Sequence, residues 1–181
     1  AISSTLLIKH GIYLGLALGA FCGALVTPLE WWRQGHRLAL VASLALCTAV
    51  LIPGVGVEVN GARRWIGLGA FSVQAAEVCK LLLLVYLAGY LARFHDDLAD
   101  RPVALLRPLA MLALPATLLL AQPDFGTVVV IMTVAIGLLF VAGARLRHFL
   151  LLVVLGGAAL AALAVLQPYR MQRLVSFLNP W

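Results

Sequence analysis

Apolar residues fill long stretches of the chain, and polar ones gather at a few short interruptions between them. A helix that crosses a bilayer needs about 20 mostly apolar residues, and six stretches approach that length. They run from about Gly11 to Leu29, Leu38 to Ile52, Glu77 to Tyr90 or Arg93, Pro108 to Gln122, Phe125 to Ala144 and Phe149 to Gln167. Pro108 suits the first turn of its helix, where a missing N–H leaves nothing unpaired. In the first stretch Gly11, Gly15, Gly19 and Gly23 recur every four residues. That spacing gathers them on one face, where a neighbouring backbone can approach closely. The pattern predicts an all-α fold: a polytopic integral membrane helical bundle, one membrane domain over residues 1–181.

Composition narrows the class further. Hydrophobic residues make up 64% of the chain and charged residues 11%, and the mean hydropathy is +1.06. A soluble domain is near half apolar and a quarter charged, so disorder, collagen, coiled coil and a secreted disulfide scaffold are excluded. The chain has no initiator Met and no charged leader with a cleavage site, and it reads as a segment of a longer membrane protein. Cys22, Cys47 and Cys79 are odd in number and lie within apolar stretches, so they read as small buried hydrophobes rather than a disulfide or zinc framework.

Charge changes the picture more. A net charge of +6 and a pI near 9.8 would point to nucleic acid in a soluble protein. Here the cations sit at span ends, where lipid headgroups or an anionic lipid substrate are the expected partners and nucleic acid is not. Six spans place the connecting segments alternately on two sides. Arg33, Arg37, Arg93, Arg101, Arg107, Arg145 and Arg147 fall on one side, and Lys9, Arg63, Arg64, Lys80, Arg170 and Arg173 on the other, together all 13 basic residues. Positive charge normally marks the cytoplasmic side, and so near a tie means that the basic outer face has another purpose.

The longest polar interruption is 53–76. Trp65, Ile66, Leu68, Phe71 and Val73 make it too apolar for a free loop, and it is expected to lie in the membrane interface. The adjacent Arg63 and Arg64 can neutralise a phosphate or pyrophosphate together, or snorkel to ordinary anionic lipids. Glu77 and Lys80, three apart on a helix, are placed to pair. Lys80 enters the apolar zone, where an ionisable group is either functional or a structural ion pair. Asp124, in Gln122-Pro123-Asp124-Phe125-Gly126, can cap the following helix, face Arg63, Arg64 or Lys80 across a cavity, or do both. Arg170 and Arg173, interleaved with Met171, Leu174 and Phe177, suggest a short interfacial helix on the same side. No nucleotide loop, catalytic triad or metal-ligand spacing is legible among the remaining His, Cys and Gly residues.

At these residues the chain resembles the SEDS family of shape, elongation, division and sporulation proteins, the FtsW and RodA family. The resemblance rests on Asn60 to Gly69 (NGARRWIGLG), Gln74 to Lys80 (QAAEVCK), Gln122 to Thr127 (QPDFGT) and Tyr169 to Trp181 (YRMQRLVSFLNPW). The first and last of these look more like the division branch than the elongation branch. Where the family usually shows Pro-Ser before Glu77, this chain has Ala75-Ala76.

The resemblance implies six of the family's ten helices, the second through the seventh, followed by the start of a large outer loop at 168–181. It also implies a lipid II polymerase (an inverting peptidoglycan glycosyltransferase) working at the outer face of the bacterial cytoplasmic membrane, at the septum. In similar proteins the catalytic Asp follows Asn-Pro-Trp by a couple of residues, so no catalytic residue is expected within 1–181. Arg63, Arg64, Glu77, Lys80, Asp124, Arg170 and Arg173 become the expected substrate-binding residues. A divalent cation (Mg or Mn) is a further option, held weakly if Glu77 and Asp124 are its ligands. The implied partners are lipid II, membrane lipids, the class B penicillin-binding protein FtsI, and FtsQ, FtsL and FtsB. A lipid II flippase and a non-catalytic scaffold that recruits a transpeptidase are the alternatives; few ionisable residues near mid-span count against the flippase.

Overall fold

A computed structural model describes residues 2–59, 62–68, 71–96 and 102–166. Helices α1 (Ile2–Val26), α2 (Leu29–Gln34) and α3 (His36–Leu51) come first. Strands β1 (Gly56–Val59), β2 (Ala62–Leu68) and β3 (Phe71–Gln74) follow. Helices α4 (Ala75–Arg93), α5 (Pro102–Ala121), α6 (Phe125–Val141) and α7 (Leu146–Val165) complete the order. Among the described residues, α1, α4, α5 and α7 are long and apolar enough to cross a membrane, and α3 and α6 are apolar but shorter. At 1.5 Å per residue the 16 residues of α3 reach about 24 Å. The expected polytopic helical bundle is what forms.

The core lies where α3, α4, α5 and α6 meet, with Leu83, Leu87, Leu112, Leu119, Ile131 and Leu139 buried there. Helix α7 packs mainly on α6. Helix α4 comes close to the α2–α3 junction at Gly89, where a Cβ would stand 2.5 Å from the Cβ of buried His36. On α1, every side chain from Leu7 to Val26 is exposed, and nothing lies within 4 Å of where Cβ atoms on Gly11, Gly15, Gly19 and Gly23 would be. The expected close-packing face is therefore open in this chain.

Besides the earlier start of α1, at Ile2 and not about Gly11, three sequence expectations change. Helix α5 starts at Pro102, so Pro108 sits inside it, as does Pro115. Both prolines are fully buried. Lipid offers no water to backbone groups released by a helix break, so a packed helix continues through proline where a soluble one would end. Cys22 is exposed on α1, whereas Cys47 and Cys79 are buried as expected.

The third change concerns the 53–76 interruption, which is a three-stranded antiparallel sheet in the order β1-β2-β3. Two residues separate each pair of strands, with Val59 opposite Ala62 and Leu68 opposite Phe71. A register shift between Val57 and Glu58 places Glu58 opposite Arg63. Chain direction puts this sheet, the N-terminus of α4, the α5–α6 turn and the N-terminus of α6 at one end of the bundle.

Candidate functional site

Five of the expected residues lie at the sheet end, and the strand decides which way two of them point. Successive side chains on a strand leave opposite faces, so Arg63 and Arg64 of β2 separate and do not form a joint clamp on one phosphate. Arg63 stays on the exposed face, its Nε 3.4 Å from Glu58 Oε2 across the β1–β2 ladder. Arg64 turns into the bundle, and its side chain is 21% exposed.

Arg64 is occupied by the α5–α6 turn. Its Nε donates to the Gln122 carbonyl at 3.1 Å and its Nη2 to the Pro123 carbonyl at 2.6 Å. Its Nη1 stands 3.9 Å from Asp124 Oδ1. Carbonyls at a helix C-terminus lack partners within the helix, and the planar guanidinium fork suits two of them at once. Asp124 meets both sequence expectations. It caps α6 by accepting from the Thr127 backbone N–H at 3.3 Å, also accepts from the Thr127 hydroxyl at 2.9 Å, and faces Arg64.

Gln122 continues this network inward. It is buried, and its Nε2 donates to the Cys47 carbonyl at 2.8 Å, tying the turn to α3. Sequence reasoning did not single out Gln122. A polar side chain buried at the end of an apolar span, where it must find a partner, was the available signal.

Lys80 and Glu77 pair on the first turns of α4 with Nζ and Oε1 2.8 Å apart. Glu77 is largely exposed, while Lys80 is 26% exposed and leans over an apolar groove. The groove is narrow, with a cavity volume of about 60 Å³ between α4, α5 and α6, and is lined by Leu83, Leu84, Leu87, Leu112, Val134 and Ala135 among others. A cation therefore sits at the polar mouth of a slot whose walls are hydrocarbon. Such an arrangement suits a ligand with an anionic head and an apolar tail.

Arg170 and Arg173 lie outside the described residues, as does the whole 168–181 segment. Among the described residues no three His, Cys, Asp or Glu side chains are grouped to hold a metal ion. Asp124 is engaged by Arg64 and Thr127, and Glu77 by Lys80. These two carboxylates thus do not fit a divalent cation, whose shell needs free oxygen donors.

Comparison with known proteins agrees with this architecture. The family model described as cell cycle protein, covering FtsW, RodA and SpoVE, matches residues 2–181. A probable peptidoglycan glycosyltransferase FtsW of Tolumonas auensis is 47% identical over 173 residues, 96% of this chain and 44% of that protein. Its counterpart in Allochromatium vinosum is 44% identical over 96% of this chain and 44% of its own length. The crystal structure of the rod shape determining protein RodA of Thermus thermophilus superposes with a TM-score of 0.70 at 36% identity, over 88% of this chain and 50% of that one. A structure concerned with the coordination of polymerization and crosslinking by a peptidoglycan synthase complex gives a TM-score of 0.78 at 31% identity, over 98% of this chain and 52% of that one. The chain spans less than half the length of these curated relatives.

Proposed function

Because this chain belongs to the FtsW, RodA and SpoVE family of cell cycle proteins, we propose that it binds lipid II for a peptidoglycan glycosyltransferase. The observation that carries the proposal is Lys80 at the mouth of the α4–α5–α6 groove. Lipid II joins a polyprenyl tail to a sugar through a pyrophosphate. The groove takes only the start of the tail next to the pyrophosphate, Lys80 meets the pyrophosphate, and Glu77 holds the ammonium in place at 2.8 Å.

Polymerisation by inversion has an acceptor sugar hydroxyl attack C1 of the donor sugar while the lipid pyrophosphate leaves. Charge grows on that leaving group, and a cation placed where it grows lowers the barrier. Lys80 has that role here, with Arg63 a second outer cation and Arg170 and Arg173 contributing from the segment after α7. Arg64 and Asp124 act one step back, by fixing the α5–α6 turn from which the α6 wall of the groove starts. The general base comes, on the family pattern, from beyond Asn179-Pro180-Trp181. The sheet end then faces outward from the bacterial cytoplasmic membrane, at the septum. The partner is a class B penicillin-binding protein, FtsI, which crosslinks the strands made, within an assembly that includes FtsQ, FtsL and FtsB.

Purified full-length protein with its transpeptidase partner, given labelled lipid II, is expected to make glycan chains resolvable on a gel. A folded, partner-bound Lys80→Ala protein is expected to make none. Normal chains from that variant would remove Lys80 from the site. A wild-type complex that binds lipid II and transports it without polymerising would favour a flippase, and one that only recruits the transpeptidase would favour a scaffold.

A further inference from the structure

Cys47 and Cys79 face each other across the α3–α4 contact, fully buried, with their sulfurs 3.1 Å apart. That is closer than the roughly 3.5–4.0 Å of an ordinary non-bonded contact, and a disulfide requires a further approach of about 1 Å. The two residues lie at matching depth. Each is four residues from the sheet end of its helix, Cys47 from Leu51 and Cys79 from Ala75, or about 6 Å along the axis. The packing around them is fixed by Ser43, one turn before Cys47 and fully buried, whose carbonyl is 3.5 Å from Cys79 Sγ. Gln122 holds the Cys47 carbonyl from the other side.

We propose that Cys47 and Cys79 form an intramolecular disulfide in the mature protein, linking α3 to the first turns of α4 just ahead of Lys80. The proposal rests on the orientation given above, which puts this end of the bundle beside an oxidising compartment, and not on the catalytic reading. Oxidation of the two thiols releases two protons and two electrons. A protein thiol–disulfide oxidase of that compartment accepts them, its own disulfide breaking to a dithiol as the Cys47–Cys79 bond forms. One thiolate attacks the oxidase disulfide, and the second cysteine resolves the mixed disulfide. Both sulfurs are buried once the bundle has closed, so the exchange takes place while α3 and α4 are docking at the membrane surface. Exposed Cys22 on α1 has no such neighbour among the described residues and stays a thiol.

The test uses full-length protein from cells whose free thiols are blocked with acid and then an alkylating agent in denaturing detergent. Mass spectrometry is expected to find the Cys47 and Cys79 peptides joined. Maleimide labelling is expected to rise by two per chain after reduction, a gain that the Cys79→Ser protein lacks. Reductant is also expected to lower the melting temperature of the parent and leave that of Cys79→Ser unmoved. Alkylated, unlinked Cys47 and Cys79 in cells would overturn the proposal, even if copper phenanthroline then joined them in the purified protein. Either result is independent of whether the protein polymerises lipid II.

Discussion

Replacing Arg64 should weaken the sheet end of the bundle in a way that separates hydrogen-bond geometry from charge. Its guanidinium makes two hydrogen bonds to carbonyls of the α5–α6 turn, at 3.1 and 2.6 Å, and stands 3.9 Å from Asp124. A hydrogen bond from a charged donor contributes about 1.5–3 kcal/mol. The Arg64 bond to Pro123 is exposed, which lowers the pair of bonds to about 3 kcal/mol together. The ion pair adds less, about 0.5 kcal/mol, because it is long and Arg64 is partly solvated. Arg64→Ala is therefore expected to cost about 3.5 kcal/mol, measured by reversible denaturant unfolding in mixed micelles. Arg64→Lys keeps the charge and loses the planar fork, so it should still lose most of that, about 2 kcal/mol. Asp124→Asn retains a capping side chain and should lose about 1 kcal/mol or less. Full stability in Arg64→Lys would refute the reasoning, since charge alone would then be enough. An Arg64→Ala protein as stable as the parent would mean that the clamp does not hold the turn.

Two further substitutions test other parts of the structure. Gly89→Ala puts a methyl 2.5 Å from the Cβ of His36, and overpacking of this kind costs about 1–3 kcal/mol; an unchanged melting temperature would show that α4 and the α2–α3 junction are less tightly apposed. Arg63→Ala removes an exposed pair with Glu58 and should change stability by at most about 1 kcal/mol, while raising the lipid II concentration needed for half-maximal polymerisation. A large loss of stability with unaltered substrate dependence would reverse the roles assigned to Arg63 and Arg64.

The sequence made the helices legible because lipid imposes one simple demand, a long apolar run, and α3, α4, α6 and α7 begin or end within a few residues of the expected limits. It misled at Pro108, where a rule learned in water places a helix start and the bilayer keeps the helix going. The sheet was the larger omission. Val57-Glu58-Val59 alternates with period two and is followed by Asn60-Gly61, a strong short-range hairpin signal, yet the apolar content of 53–76 suggested a segment lying on the membrane. That omission hid the most consequential feature of the site, since only a strand sends Arg63 and Arg64 to opposite faces. The pairing of Glu77 with Lys80 and the capping by Asp124 were readable, because both follow from spacing along one helix. The groove under Lys80 was not, because it depends on how three helices diverge.

Lys80 above that groove is the central claim, and a photoreactive polyprenyl pyrophosphate tests it most directly. Irradiated with full-length protein in bilayers, the probe is expected to label the groove wall at Leu84, Leu87 and Val134. Labelling should fall at least about tenfold in Lys80→Ala, the loss that about 1.4 kcal/mol of binding energy produces, and persist in Arg33→Ala at the opposite end of the bundle. Labelling spread over the lipid-facing surface of α1 or α7, or undiminished in Lys80→Ala, would contradict the account.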